Sequence, residues 1–373
     1  MQIQRIGTFQ LFTMAVLSQL GSAIVLGIGS DAKKDAWIAL LVGTICGIGL
    51  FFLYVCSYQL SRERGSLLNI LQEAFNRPIG YILAFLYYGY FIYLAARVTA
   101  DFSFFMNEVL FININMNAWL IKATILLLVA YACYLGIETI GRTSENLFFI
   151  MLSFTMLVVI LMFFQEQFEF KNLRPIVENG WMPIFRTVFP TIITFPFGES
   201  IVLLCFFQFL TAFSTFLKKG WLSILVSGSI LIFASILNVG VLTADLAKDF
   251  NFPFIKTIEH INFLNFIRHL ELLAILIFMI GGLIKILLFS YAGITGMSEL
   301  FKMNSYKKMI IPLLSIIYLI CVLFMNNYVI HIYIGLKVIP VYVHLFFQIF
   351  IPVLFFISLL IKKQTKQTKP KRN

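Results

Sequence analysis

Thr194-Phe195-Pro196-Phe197-Gly198-Glu199-Ser200 interrupts an apolar run, residues 184–213, that would otherwise read as one uniform helix. Pro196 removes a helical donor, and Gly198 has access to dihedrals closed to other residues. Glu199 adds a charge where insertion costs about 2.5 to 3.5 kcal/mol. Proline, glycine and glutamate at one depth mark a helix that breaks inside lipid. Unwound backbone there must line a cavity or be covered by protein, because its amide groups find no other partner.

That the solvent is lipid follows from composition. The 373 residues are 60% hydrophobic and 12% charged, with a mean hydropathy of +0.93, which excludes a set of soluble domains. The 42 phenylalanines suit helices facing acyl chains. A hydrocarbon core about 30 Å thick needs roughly 20 helical residues. Cut at charged and turn-rich clusters, the apolar runs give ten spans: 8–30, 36–60, 79–109, 118–137, 147–165, 184–213, 221–246, 270–300, 309–325 and 335–361. The first follows only Arg5 and is longer than a signal-peptide core, so it reads as a retained span.

The net charge of +11 is distributed as a topology signal. One set of alternate connections, including Arg62, Arg64, Arg77 and the tail from Lys362 to Arg372, holds sixteen basic residues. The other, including Lys33, Lys34 and Lys337, holds nine, offset by acids such as Asp31, Asp35 and Glu178. Positive-inside places both termini in the cytoplasm. The longest connections, 166–183 and 247–267, lie outside, the second with an amphipathic stretch around 254–266.

The first span reads Leu17-Ser18-Gln19-Leu20-Gly21-Ser22-Ala23-Ile24, small and polar near its middle. Its break and that of the sixth span each fall in the first helix of a five-span half. This pattern predicts an inverted repeat with a binding site at the repeat interface. The expected organisation is a first repeat over 1–165, an outer loop over 166–183, a second repeat over 184–361 and a basic cytoplasmic tail over 362–373. Freed N–H groups at the breaks can hold a carboxylate, and freed carbonyls a cation.

Other charges sit inside the spans. Arg97 and Asp101 are one turn apart, at the spacing for side chains to meet, either as part of a polar interior or as an ion pair that locks the helix. Glu138 and Glu145 lie near the cytoplasmic ends of the fourth and fifth spans. Arg268 and Glu271 read as an interfacial clamp at the start of the eighth. Lys285 sits near that span's centre, after Gly281-Gly282. The five cysteines form no C-x-x-C pair, so neither disulfides nor a zinc site is indicated. His260, His269, His331 and His344 lack metal-ligand spacing, and no H-E-x-x-H, G-x-S-x-G or P-loop occurs. The expectation is a chain that is not an enzyme, with no cofactor, no metal and no nucleic-acid partner.

The chain resembles the B-subunit family of spore germinant receptors, a branch of the amino acid-polyamine-organocation transporter superfamily. Four features carry the match: Leu20-Gly21-Ser22 with Asp35-Ala36-Trp37; Leu173-Arg174-Pro175; Pro196-Phe197-Gly198-Glu199; and Arg268 with Glu271 ahead of Lys285. Ile28-Gly29-Ser30 stands where a Leu-Pro pair often follows the first break. The resemblance implies an all-α, ten-span, LeuT-like fold with broken helices 1 and 6. It also implies nutrient sensing, commonly of amino acids, in the inner membrane of a dormant spore. Family members act with a membrane-embedded A subunit and a C lipoprotein, and the assembled receptor looks like a nutrient-gated ion channel. An autonomous secondary transporter of amino acids or related solutes would use the same broken helices.

On that fold, the expected ligand site comprises Gly21, Ser22, Ala23, Tyr93, Phe197, Gly198, Glu199 and Lys285. Tyr93 enters because the third span lines the site. Glu199 either binds an ammonium group or bonds the freed amides of its own helix. Lys285 must point inward. It either substitutes for a coupling cation, holding the carbonyls around Gly21 and pairing with Glu199, or is satisfied by local carbonyls with no part in gating.

Overall fold

The computed structural model describes residues 4–62, 64–110, 116–162, 167–260 and 271–367. Among these residues nine helices are long and apolar enough to cross a membrane. They are Ser30–Leu60, Arg77–Leu110, Ala118–Leu135, Ile137–Leu161, Trp181–Cys205, Phe213–Leu242, Glu271–Leu300, Tyr306–Phe324 and Phe346–Thr365. Two shorter apolar helices complete the set: Thr8–Leu20 belongs to the first span, and Tyr328–His344 is the leading half of the tenth. The protein is an all-α, multi-pass membrane protein. The described residues contain no sheet, only an isolated bridge between Ile6 and Leu210 that ties the amino-terminal segment to the end of the sixth span.

Several boundaries differ from the sequence reading, those of the fifth and tenth spans among them. The fifth span begins at Ile137, ten residues early, because Gly136 takes φ 96° and turns the chain in a single residue. The helix start that follows is polar, and its acids are used. Glu138 accepts from the Arg5 backbone N–H at 2.9 Å, and Glu145 accepts from the Gln10 amide at 3.3 Å. The tenth span begins at Tyr328 rather than 335, capped by the Asn327 side chain, which accepts from the Ile330 N–H at 3.0 Å. Arg268 and the tail beyond residue 367 lie outside the described residues, as does the amphipathic stretch past residue 260. Before that point a helix spans Pro253–Glu259.

Both expected breaks are present. The first helix runs Thr8–Leu20, rising about 20 Å, short of the roughly 30 Å of hydrocarbon. From Gly21 (φ 8°, ψ −121°) the chain continues as turns to a one-and-a-half-turn segment, Ser30–Asp35, that leads into the second span, Ala36–Leu60. The sixth span is helical over Trp181–Thr187, leaves helical dihedrals at Phe189 and again at Phe195, then tightens over Gly198–Cys205. Both exits precede a proline, where the ring disfavours helical backbone in the preceding residue.

The eighth span, Glu271–Leu300, lies against the third and the first. Its approach to the first is backbone to backbone. A Cβ at Gly281 would sit 2.8 Å from the Gly21 nitrogen, and one at Gly21 would sit 2.9 Å from Lys285 Cδ. Small residues let helices pack this closely where lipid removes the hydrophobic drive to associate.

Candidate functional site

At the level of the breaks three spans converge on one ion pair. The Glu199 carboxylate, freed from regular helix by the exit at Phe195, meets the Lys285 ammonium at 2.5 Å. Both side chains are buried, Lys285 completely. The carboxylate therefore goes to the eighth span rather than to the amides of its own helix. The ammonium also lies 4.4 Å from the centre of the Phe195 ring, within cation–π range, while its stem crosses Gly21. Apart from this contact, Lys285 Nζ and Glu199 Oε2 have no hydrogen-bond partner, and the buried Ser22 and Ser290 hydroxyls have none. Unspent donors and acceptors of this kind are costly, and Ser22, Glu199 and Lys285 hold theirs at the two breaks.

Beside the pair is a small cavity. Leu26 borders it from the first span, Arg97 and Asp101 from the third, Phe195 and Glu199 from the sixth, and Gly335 and His344 from the tenth. Arg97 and Asp101 share this wall, but they do not form the ion pair that their spacing predicts. Asp101 Oδ1 is 2.7 Å from His331 Nε2, and Arg97 Nη2 donates to the His331 carbonyl at 3.1 Å. A carboxylate only accepts, so Nε2 carries the hydrogen. The tenth span supplies both partners because it crosses the third closely at Gly335, where a Cβ would collide with the Arg97 guanidinium.

Deeper along the same two spans runs a second polar chain. His344 Nδ1 and the Tyr90 hydroxyl are 2.7 Å apart, and the Gln348 amide donates to Tyr90 at 2.7 Å. The Tyr54 hydroxyl of the second span donates to the Gln348 carbonyl at 2.6 Å and lies 3.3 Å from the Gly198 carbonyl. The unwound sixth span is thus held at Gly198 by the second span, whose tyrosine is also tied to the tenth.

The structure brings Gly21, Ser22, Gly198, Glu199 and Lys285 to one level, but three expected wall residues face elsewhere. Phe197 packs on the second span, where a Cβ at Gly47 would sit 2.7 Å from its ring; the ring facing the cavity is Phe195. Ala23 borders a different small cavity, between the first, second and seventh spans, while Leu26 faces this one. Tyr93 is half-buried among apolar neighbours, and the third-span tyrosine in the polar chain is Tyr90. Glu271 opens the eighth helix, and the clamp expected with Arg268 lies outside the described residues. The sequence signals for Phe195, His331 and His344 are a residue preceding proline and polar groups within an apolar run. Metal spacing is the wrong filter for these histidines, since each serves a neighbour on the third span.

A family model for spore permeases, described as spore germination proteins, matches residues 5–330. The chain belongs to the spore germination protein family. It is 31% identical over 367 residues to spore germination protein KB of Bacillus subtilis (strain 168), covering 98% of each chain. It is 23% identical over 322 residues to spore germination protein A2 of the same organism, covering 84% of this chain and 86% of that one. Among solved structures it resembles MhsT in complex with L-phenylalanine, with a TM-score of 0.62 at 11% identity over 96% of this chain and 99% of that one. It also resembles Mhp1, a nucleobase-cation-symport-1 family transporter, with a TM-score of 0.57 at 14% identity over 85% and 72%. At such identities the likeness is one of fold: this chain has a LeuT-like architecture with broken helices 1 and 6.

Proposed function

We propose that this chain is the nutrient-sensing subunit of a spore germination receptor. It binds a small solute such as an amino acid between the broken first and sixth spans and couples binding to ion release with A and C partner subunits. The observation that carries the reading is the Glu199–Lys285 contact beside a cavity that both broken spans border, in a chain of the spore germination protein family. The charge asymmetry of the connections favours placing both termini in the cytoplasm, with the spore inner membrane as the site of action.

A solute changes such a protein only by binding one arrangement of the spans better than another. The Glu199–Lys285 pair suits that role because it joins the sixth span to the eighth across the first. Lys285 acts in this reading as a fixed internal cation at the first break, so solute binding needs no sodium, and Lys285→Ala either loses binding or becomes sodium-dependent. The transporter-like fold supports a second reading, autonomous transport, in which the chain alone takes labelled amino acid into vesicles.

Thermal unfolding of the purified chain against amino acids, sugars and nucleosides tests the sensing reading, since a species bound to the folded state raises the transition. Gly21→Leu and Gly198→Leu should remove the stabilisation while leaving membrane insertion intact. A side chain at Gly21 strikes Lys285, and one at Gly198 strikes Gln348. Normal stabilisation of both variants would place the solute elsewhere.

A further inference from the structure

We propose that Arg97 selects the solute by charge: the ligand of this cavity carries an anionic group, a carboxylate in the simplest case, that docks on the Arg97 guanidinium. The inference rests on the reading above that the cavity beside the two breaks is the solute site. Four charged side chains border or adjoin that cavity, and three have charged or ionisable partners. Glu199 and Lys285 hold each other at 2.5 Å, and Asp101 is held by His331 at 2.7 Å. Arg97 differs. It gives one N–H to a neutral backbone carbonyl at 3.1 Å, and its nearest acid along the helix, Asp101, has turned to the histidine.

A guanidinium carries five donors in a planar fork. On the wall of a cavity that fork fits a carboxylate through two parallel hydrogen bonds, a match that neither an amide nor a hydroxyl reproduces. Its position is fixed by Gly335, since any side chain there would overlap Nη2. The rest of the wall mixes Leu26, Leu94, Val98 and Leu336 beside Phe195 with the Asp101 and Glu199 carboxylates, and those two acids are engaged by His331 and Lys285, which leaves the guanidinium fork to an incoming anion. The anion is therefore read by span 3 against span 10, not by the freed amides of the broken helices, and the amides remain for the uncharged part of the solute.

The test is binding of the full chain, purified in detergent, to the standard L-amino acids, their carboxamides and glucose, measured by thermal shift and calorimetry. The acid that stabilises the chain should bind at least about 100-fold more tightly than its own carboxamide. Arg97→Gln should bring acid and amide to within a few fold of each other, and Arg97→Lys should retain part of the preference, charge without fork. If Arg97→Gln fails to fold, the acid–amide comparison on the unaltered chain and on Arg97→Lys decides. A carboxamide that binds as well as its acid overturns the proposal, as does glucose binding that is unchanged in Arg97→Gln. If that same binding is lost in Gly198→Leu, the solute site at the breaks survives while charge selection falls. Binding that persists in Gly198→Leu, or a panel in which nothing stabilises the chain, takes both down.

Discussion

Among the described residues two lysines are buried within the helical bundle, and they are satisfied in opposite ways. Lys122, on the fourth span, donates to the Cys321 and Met325 carbonyls at 2.9 and 3.0 Å and to the Asn326 side chain at 3.4 Å. All three ammonium hydrogens are spent at the end of the helix Ile310–Phe324, where the last carbonyls lack partners and the helix dipole favours a cation. Lys285 meets one carboxylate at 2.5 Å and one aromatic ring, with no other hydrogen-bond partner. Burial of a charge alone therefore does not mark a working site. What separates the two is the partner: regular helix end for Lys122, broken helix for Lys285.

The sharpest way to break this contrast is to remove each ammonium in turn. Lys285→Met leaves Glu199 buried without a counter-charge and should cost about 3–5 kcal/mol, read as a lower unfolding transition in detergent. Adding Glu199→Gln should recover most of that loss, because the deficit lies in the stranded carboxylate rather than in the missing lysine. A Lys285→Met protein as stable as the parent would mean that the contact is no ion pair in the membrane.

The difference between the lysines was only partly open to sequence reading. The connections account for twenty-five of the twenty-eight basic residues, and the three remaining are Arg97, Lys122 and Lys285. That subtraction finds Lys122, but nothing local tells that its partners lie two hundred residues on. The breaks were legible because proline, glycine and a charge act on the backbone within a few residues; Pro196-Phe197-Gly198-Glu199 needs no tertiary information. Pairings were not. The i, i+4 spacing of Arg97 and Asp101 names a possible neighbour, while the tenth span, approaching at Gly335, offers His331 to both. Phe195 and Phe197 differ by two positions in an irregular segment, where neither helical nor strand periodicity says which ring faces the cavity.

Lys122→Met probes the other side of the comparison. It removes three donors from helix-end acceptors but strands no charge, so the expected loss is about 1–3 kcal/mol, smaller than for Lys285→Met. Solute-induced stabilisation should persist with unchanged affinity, since the ammonium serves the ends of the fourth and ninth spans and not the cavity. A Lys122→Met chain that folds yet loses its solute response would erase the distinction between a lysine that caps a helix and one that serves a site.

The smallest effect is expected where the broken span is held by neutral groups. The Tyr54 hydroxyl is buried between the Gln348 carbonyl at 2.6 Å and the Gly198 carbonyl at 3.3 Å. Tyr54→Phe keeps the ring and its packing and removes one donor, so the expected loss is about 0.5–1.5 kcal/mol. No charge is stranded, and Gln348 keeps its amide bond to Tyr90. The informative reading is therefore a comparison of solute affinity with stability. If the second span merely packs against the sixth, affinity stays unchanged while the transition falls slightly. If the hydroxyl sets the position of Gly198, affinity falls further than stability does, because the unwound segment that it steadies borders the cavity through Phe195 and Glu199.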